Sequence, residues 1–160
     1  MRDVSAEIAT TRCVIRPQQI VFGIILVLAL FLASCANVHV QPLEVVPRPV
    51  HVCIKHNPKV LVSDFVQVLQ DGISRNGMTS EVMDGAPAAN CEVVLTYRAL
   101  RDWDFRPYLT HAEIWLKRDG YQVGYAQYLH LGGFSLMKWQ GTKTKMDPVI
   151  DELFSPNIDE

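Results

Sequence analysis

Arg118-Asp119-Gly120-Tyr121 stands between two long runs of alternating residues, and this pattern limits the fold more than any other stretch of the chain. Asp-Gly suits the left-handed positions of a tight turn, so Leu109 to Lys117 and Tyr121 to His130 are expected to form an antiparallel hairpin. Counting outward from Arg118 opposite Tyr121 sets Leu116 against Val123, Ile114 against Tyr125, Ala112 against Gln127 and Thr110 against Leu129 on the core side. The other side then holds Lys117 with Gln122, Trp115 with Gly124, Glu113 with Ala126 and His111 with Tyr128. A large aromatic over a glycine covers exposed sheet backbone.

The rest of the chain supplies partners for that hairpin. Val50 to Ile54 reads as a first strand, closed by the turn residues Lys55-His56-Asn57-Pro58. Ser63 is the expected N-cap of a helix that stops at Asn76-Gly77, with Phe65, Val68, Leu69, Gly72 and Ile73 on one apolar face. Gly72 costs about 1 kcal/mol against Ala in a helix, and a close approach of helix to sheet would offset it. Thr79 to Met83 is expected as a parallel strand after a right-handed crossover. Cys91 to Arg101 reads as a long strand and Asp102 to Tyr108 as a broad connection, whose Trp103 and Phe105 would plug the end of the core. Asp147-Pro148 matches an N-cap and first helical position, so the last helix is expected from Pro148 to Phe154. The sum is an α+β two-layer sandwich: one mixed, mostly antiparallel sheet of about five strands, with two helices on one face.

Ahead of this domain runs IVFGIILVLALFLASC, Ile20 to Cys35, with Arg12 and Arg16 on its N-terminal side. A basic flank, an apolar core and small residues at the end are the pattern of a secretory signal. The run is shorter than the roughly 20 apolar residues a spanning helix needs. Leu32-Ala33-Ser34-Cys35 resembles the lipobox of bacterial lipoproteins, and the resemblance implies a diacylated Cys35 at the head of the processed chain. It divides the protein into a signal peptide (1–34), a lipidated tether dotted with Pro42, Pro47 and Pro49 (35–49), one periplasmic domain (50–155) and a frayed tail (156–160). Ala36 follows the cysteine where the sorting rule of that class would need Asp for inner-membrane retention. The expected address is therefore the outer membrane, lipid-anchored, facing the periplasm.

Of the remaining cysteines, Cys13 leaves with the signal, so Cys53 and Cys91 stand as an even pair in an oxidising compartment, where a disulfide is expected. On the chain-entropy model, closing a loop of about 38 residues contributes roughly 3–4 kcal/mol. A formal charge of −2, with 20% charged residues, gives no basic domain able to track phosphates, so nucleic acid is not an expected partner.

Chemistry-bearing residues gather on the polar face of the hairpin. His111, Glu113, Trp115 and Tyr128 would share it, and aromatic residues of this kind give large contact area at low entropic cost. His111 and His130 would be diagonal neighbours there, and with Glu113 they form a candidate zinc set with an open position. Two surface histidines of a solvated sheet face account for the same pattern without a ligand. His51 and Cys53 share a strand face and offer nitrogen and sulfur to a soft metal, unless pairing with Cys91 takes the sulfur. Lys138, Lys143 and Lys145 with Trp139 are candidates for contact with anionic headgroups or glycan phosphates. No stretch resembles a nucleophile elbow or a Cys-His catalytic pair.

Four segments together resemble a family of small proteobacterial lipoproteins: NPKV (57–60), DGISRNG (71–77), LTYRALRDWDFRPYLTHAE (95–113) and GGFSLMKWQGTKTKMDPVIDEL (132–153). That resemblance implies a cell address and no activity, and it carries no catalytic residue. The function expected from the sequence is a non-enzymatic binding or assembly module of the envelope. It would use no cofactor, be held to the membrane by acyl chains on Cys35, and meet an envelope protein or glycan through His111, Glu113, Trp115 and Tyr128. The competing expectation is a metal-binding or hydrolytic lipoprotein using His111, Glu113 and His130.

Overall fold

Alternation over residues 93–130 produces three long strands, and everything else packs on or beside them. A computed structural model describes residues 36–85, 91–132 and 136–155; the signal segment, Cys35 and the tail 156–160 lie outside the described residues. The elements are β1 (Ala36–Gln41), β2 (His51–Lys55), α1 (Phe65–Arg75), β3 (Thr79–Met83), β4 (Val93–Asp104), β5 (Arg106–Arg118), β6 (Tyr121–His130), a 3-10 turn (Leu136–Trp139) and α2 (Thr142–Leu153). They build one sheet in the order β1-β6-β5-β4-β2-β3, with β2 parallel to both β3 and β4 and the other pairs antiparallel. This is the expected α+β sandwich, with six strands rather than about five.

The added strand comes from the stretch read as a tether. Val38 and Val40 alternate with His39, and β1 pairs along the edge of β6 from Ala36 opposite His130 to Gln41 opposite Tyr125. The connection beyond it is also held: the Leu43 amide donates to the Leu153 carbonyl at 2.8 Å, and the Glu44 amide to the Val123 carbonyl at 2.9 Å. An unpaired strand edge leaves a row of open hydrogen-bonding groups, and the segment satisfies them.

The core lies between the sheet and the two helices. Val52, Ile54, Leu95, Ile114 and Leu116 from the sheet meet Phe65, Leu69, Ile73, Ile150 and Leu153 from the helices, all of them fully enclosed. Cys53 and Cys91 form the expected disulfide, which ties β2 to the start of β4 across a sequence separation of 38.

Helix boundaries differ from the local signals. Asp64, one residue beyond Ser63, is the N-cap of α1, and Gly77 beyond its end takes a left-handed φ of 77°. The last helix starts at Thr142, with Gly141 as N-cap and Pro148 inside it. Burying Met146 on the same stripe as Val149, Ile150 and Leu153 stabilises the early start, and Asp147 faces Arg75 at 3.0 Å instead of capping.

Gly72 does permit a close approach, but to the other helix and not to the sheet. A methyl group placed there would lie 2.4 Å from the Cγ2 methyl of Ile150, a β-branched side chain that is fully buried. Gly72→Ala is therefore expected to destabilise the domain by about 1–3 kcal/mol despite the better helix propensity of Ala. Chemical denaturation measures the loss, and Gly72→Ala should cost less when made in an Ile150→Ala background than in the wild type.

Candidate functional site

Among the described residues both helices lie on one side of the sheet, and no element packs on the opposite side. Its composition is set by register. Arg118 pairs with Tyr121 and Lys117 with Gln122 as the turn requires, but Leu116 pairs with Gly124, leaving Val123 as an extra residue. A one-residue bulge moves every later side chain of the strand to the other face. Trp115 therefore stands opposite Tyr125, Glu113 opposite Gln127, and His111 opposite Leu129. Tyr128 is opposite Ala112, buried on the helix side, and so leaves the expected contact face.

The bulge gives the helix side of β6 its small residues. The helix-side positions of β6 become Gly124, Ala126 and Tyr128, and a Cβ on Gly124 would come within 3.0 Å of the Leu116 side chain. The simple count would instead have placed Gln127 in the core opposite Ala112. A second bulge, between Leu100 and Arg101, makes Thr110 the extra residue, and its hydroxyl donates to the Leu100 carbonyl at 3.1 Å.

On the open wall the slipped register assembles a connected polar group. Tyr125 donates its hydroxyl to Glu113 Oε1 at 3.3 Å, His111 Nε2 lies 3.8 Å from the same oxygen, and Arg98 Nη1 lies 3.7 Å from Oε2. Gln127 Nε2 is 3.5 Å from His111 Nε2. The Trp115 and Tyr125 rings meet with centroids 5.9 Å apart, and His39 of β1 adds its ring 6.2 Å from Tyr125. Burial, reinforced by the Glu113 carboxylate, raises the Tyr125 pKa, so the phenol stays a donor. The result is a polar and aromatic strip carried on four strands, β1, β4, β5 and β6. Tyr125 and Gln127 belong to it and were missed because the simple count turned β6 over, and Arg98 joins it through the pairing of β4 with β5, which the hairpin count did not cover.

The candidate zinc set does not come together. His130 is on the helix side, edge-on to Tyr108 at 5.7 Å, with the sheet between it and His111. Burial and the nearby Lys145 and Lys138 charges lower its pKa, a neutral ring in surroundings that repel a cation. The lysines expected to meet anionic groups are committed elsewhere. Lys138 pairs with Asp104, and Lys143 lies 3.2 Å from Asp147 and 3.5 Å from Asp71. Lys145 is buried, donating to the carbonyls of Leu109 at 3.0 Å and Lys138 at 2.7 Å.

The broad connection is in fact a continuation of the ribbon. β4 runs to Asp104, β5 starts at Arg106, and Phe105 turns the chain with a φ of 57°. Trp103 and Phe105 do not plug the core: they are 70% and 87% exposed at the tip. Between this arm and the start of α2 lies a cleft of about 460 Å³, lined by Arg101, Arg106, Tyr108, Trp139 and Thr142 among others. The arm, the last residue of β6 and the first of β1 all sit at one end of the sheet.

The architecture has relatives of known structure. No family model matches the chain, and no curated protein matches it. Solved structures do, among them two of PelC from Paraburkholderia phytofirmans, crystallised as a dodecamer. A point variant aligns with a TM-score of 0.51 at 14% identity, over 75% of this chain and 98% of its own. A second crystal form aligns with a TM-score of 0.50 at 13% identity, over 76% and 99%. The likeness is one of fold.

Lys145 gives this side of the sheet a measurable signature. Burial lowers its pKa from 10.5 to about 8. A base depressed in the folded state makes its contribution above the unfolded pKa and loses it as pH falls through the folded one. The stability of the wild type relative to Lys145→Met should thus improve by roughly 2 kcal/mol from pH 8 to pH 10. Urea titrations at both values measure it, and a constant difference would mean that the ammonium is not penalised by burial.

Proposed function

We propose that this chain is a lipid-anchored protein of the bacterial outer membrane that works by binding, not catalysis, with the open wall as its contact surface. One observation carries this reading: among the described residues a face of the six-stranded sheet is left uncovered by either helix while it presents Trp115, Tyr125, His39, His111 and Glu113 in one strip. Aromatic residues fixed on strands lose little freedom on contact, and the Glu113 group supplies directional polar contacts beside them. The occupant on this reading is an envelope protein or glycan. A second occupant, another copy of this chain, is favoured by the dodecameric state of both similar structures.

Acylation of Cys35 would orient the domain. Ala36 is already paired in β1, so little slack would separate the anchor from the sheet. The arm bearing Trp103 and Phe105 projects at that same end and would face the bilayer. Indole rings favour the headgroup region, where one edge is apolar and the other wet.

Two measurements test these surfaces separately. Trp115→Ala with Tyr125→Ala should keep the fold and abolish an in-cell crosslink, to a foreign partner or between copies; an unchanged crosslink pattern rejects the face. Native mass spectrometry of the acylated protein decides between the occupants. Trp103→Ala with Phe105→Ala should lower the affinity of the unacylated chain for phosphatidylethanolamine/phosphatidylglycerol vesicles by about tenfold, and equal binding would remove the arm from the membrane contact.

A further inference from the structure

At the far edge of the open wall, β2 and β3 bring together side chains that the contact strip does not use. His51 and Cys53 lie on the same face of β2, and Thr79 and Glu81 stand opposite them on β3. Glu81 Oε1 is 3.6 Å from His51 Nε2, 3.5 Å from Cys53 Sγ and 4.0 Å from Cys91 Sγ. One donor atom each from His51, Cys53 and Glu81 lies within 4.8 Å of the other two, and Cys91 is bonded to Cys53.

Hydrogen bonding fixes how the imidazole is presented. The Thr79 hydroxyl donates to the Val50 carbonyl at 3.1 Å, so at 2.8 Å it accepts from His51 Nδ1. With the proton on Nδ1, the neutral ring turns the lone pair of Nε2 toward the Glu81 carboxylate. Nε2 is buried with no hydrogen-bond partner among the described residues. A lone pair aimed at a carboxylate oxygen is unfavourable unless a cation sits between them, either a proton on the ring or a metal ion.

We propose that His51, Cys53, Glu81 and Cys91 form a zinc site that the disulfide keeps closed and that reduction opens. An imidazole nitrogen, two thiolates and a carboxylate make a tetrahedral set suited to Zn²⁺. The Nδ1 bond to Thr79 is the kind of outer contact that orients a ligating histidine. The opening step is thiol exchange with a dithiol reductant. One reductant thiolate attacks a sulfur of the Cys53–Cys91 bond, and its second thiol resolves the mixed disulfide. Two electrons pass to the protein, leaving two cysteine thiols and a cyclic disulfide of the reductant. Zinc then displaces both thiol protons to solvent and takes the place between His51 Nε2 and the Glu81 carboxylate. In the oxidised state the sulfurs hold each other, and His51 with Glu81 alone supplies too few ligands.

The test uses the full chain in detergent, oxidised or reduced with dithiothreitol and desalted without oxygen, with Zn²⁺ and Co²⁺ as probes. The reduced protein should bind one equivalent of zinc more than the oxidised protein, and cobalt should show thiolate charge-transfer and tetrahedral d–d bands. His51→Ala and Glu81→Gln keep the disulfide, so both should fold normally when oxidised. After reduction each should lose affinity by about tenfold or more, since even outer-shell changes cost 10–100-fold. Equal zinc content in the two redox states overturns the proposal. So does undiminished affinity in both variants, which would leave only unspecific thiol binding. Loss of the far-ultraviolet circular dichroism on reduction in the presence of zinc overturns it as well, because the site needs β2 and β3 in register.

Discussion

The extra residue at Val123 is the constraint from which the two surfaces of this sheet follow. Because side chains alternate with a period of two, that one insertion decides which half of β6 meets the helices and which half meets the surroundings. It is held from outside the hairpin: the Val123 carbonyl accepts from the Glu44 amide, so the segment following β1 completes the bulge. It is also held from the helix side, where a Cβ on Gly124 would come within 3.0 Å of the Leu116 side chain and meet Leu153 of α2. Remove the insertion and Gln127 enters the core, while Ala126 and Tyr128 replace Tyr125 and Gln127 on the open wall.

The same closeness governs the helix layer. Gly72 lets α1 approach Ile150 of α2, and at the exposed side of that contact Arg75 lies 3.0 Å from both Asp147 and Asp151. Exposed ion pairs of this kind add little stability, so the glycine contact and the buried stripe hold the helices. With both described helices drawn to one face, the polar and aromatic groups of the other rest on strands rather than loops. The disulfide secures the parallel end of the sheet, where β2 and β4 pair over three residues only, Val52 to Ile54 against Val93 to Leu95.

Much of the architecture was legible from residues in order. Asp119-Gly120 marked the hairpin, the stripe from Phe65 to Ile73 marked α1, and the pairing of Cys53 with Cys91 followed from their being the two cysteines left over. Other elements were obscured by strong local signals. Prolines at 42, 47 and 49 masked the alternation of Val38-His39-Val40, and Asp147-Pro148 imitated a helix start inside α2. The Trp103 and Phe105 rings suggested a core plug where the strands in fact continue into a projecting arm. Of the candidate site, His111, Glu113 and Trp115 were placed on the right face, whereas Tyr128 and His130 were not. The buried amide that the simple register demanded at Gln127 was the one available warning.

The linear pattern alone determined that three long strands, two parallel ones and two amphipathic helices would form an α+β sandwich, because periodicity and turn chemistry act over a few residues. Only the tertiary structure decided how many strands the sheet has, where the last helix begins and which side of β6 faces outward. Those outcomes depend on the gap between α2 and the sheet and on the open edge of β6. Both are distances between parts far apart in the chain, and no local period encodes them.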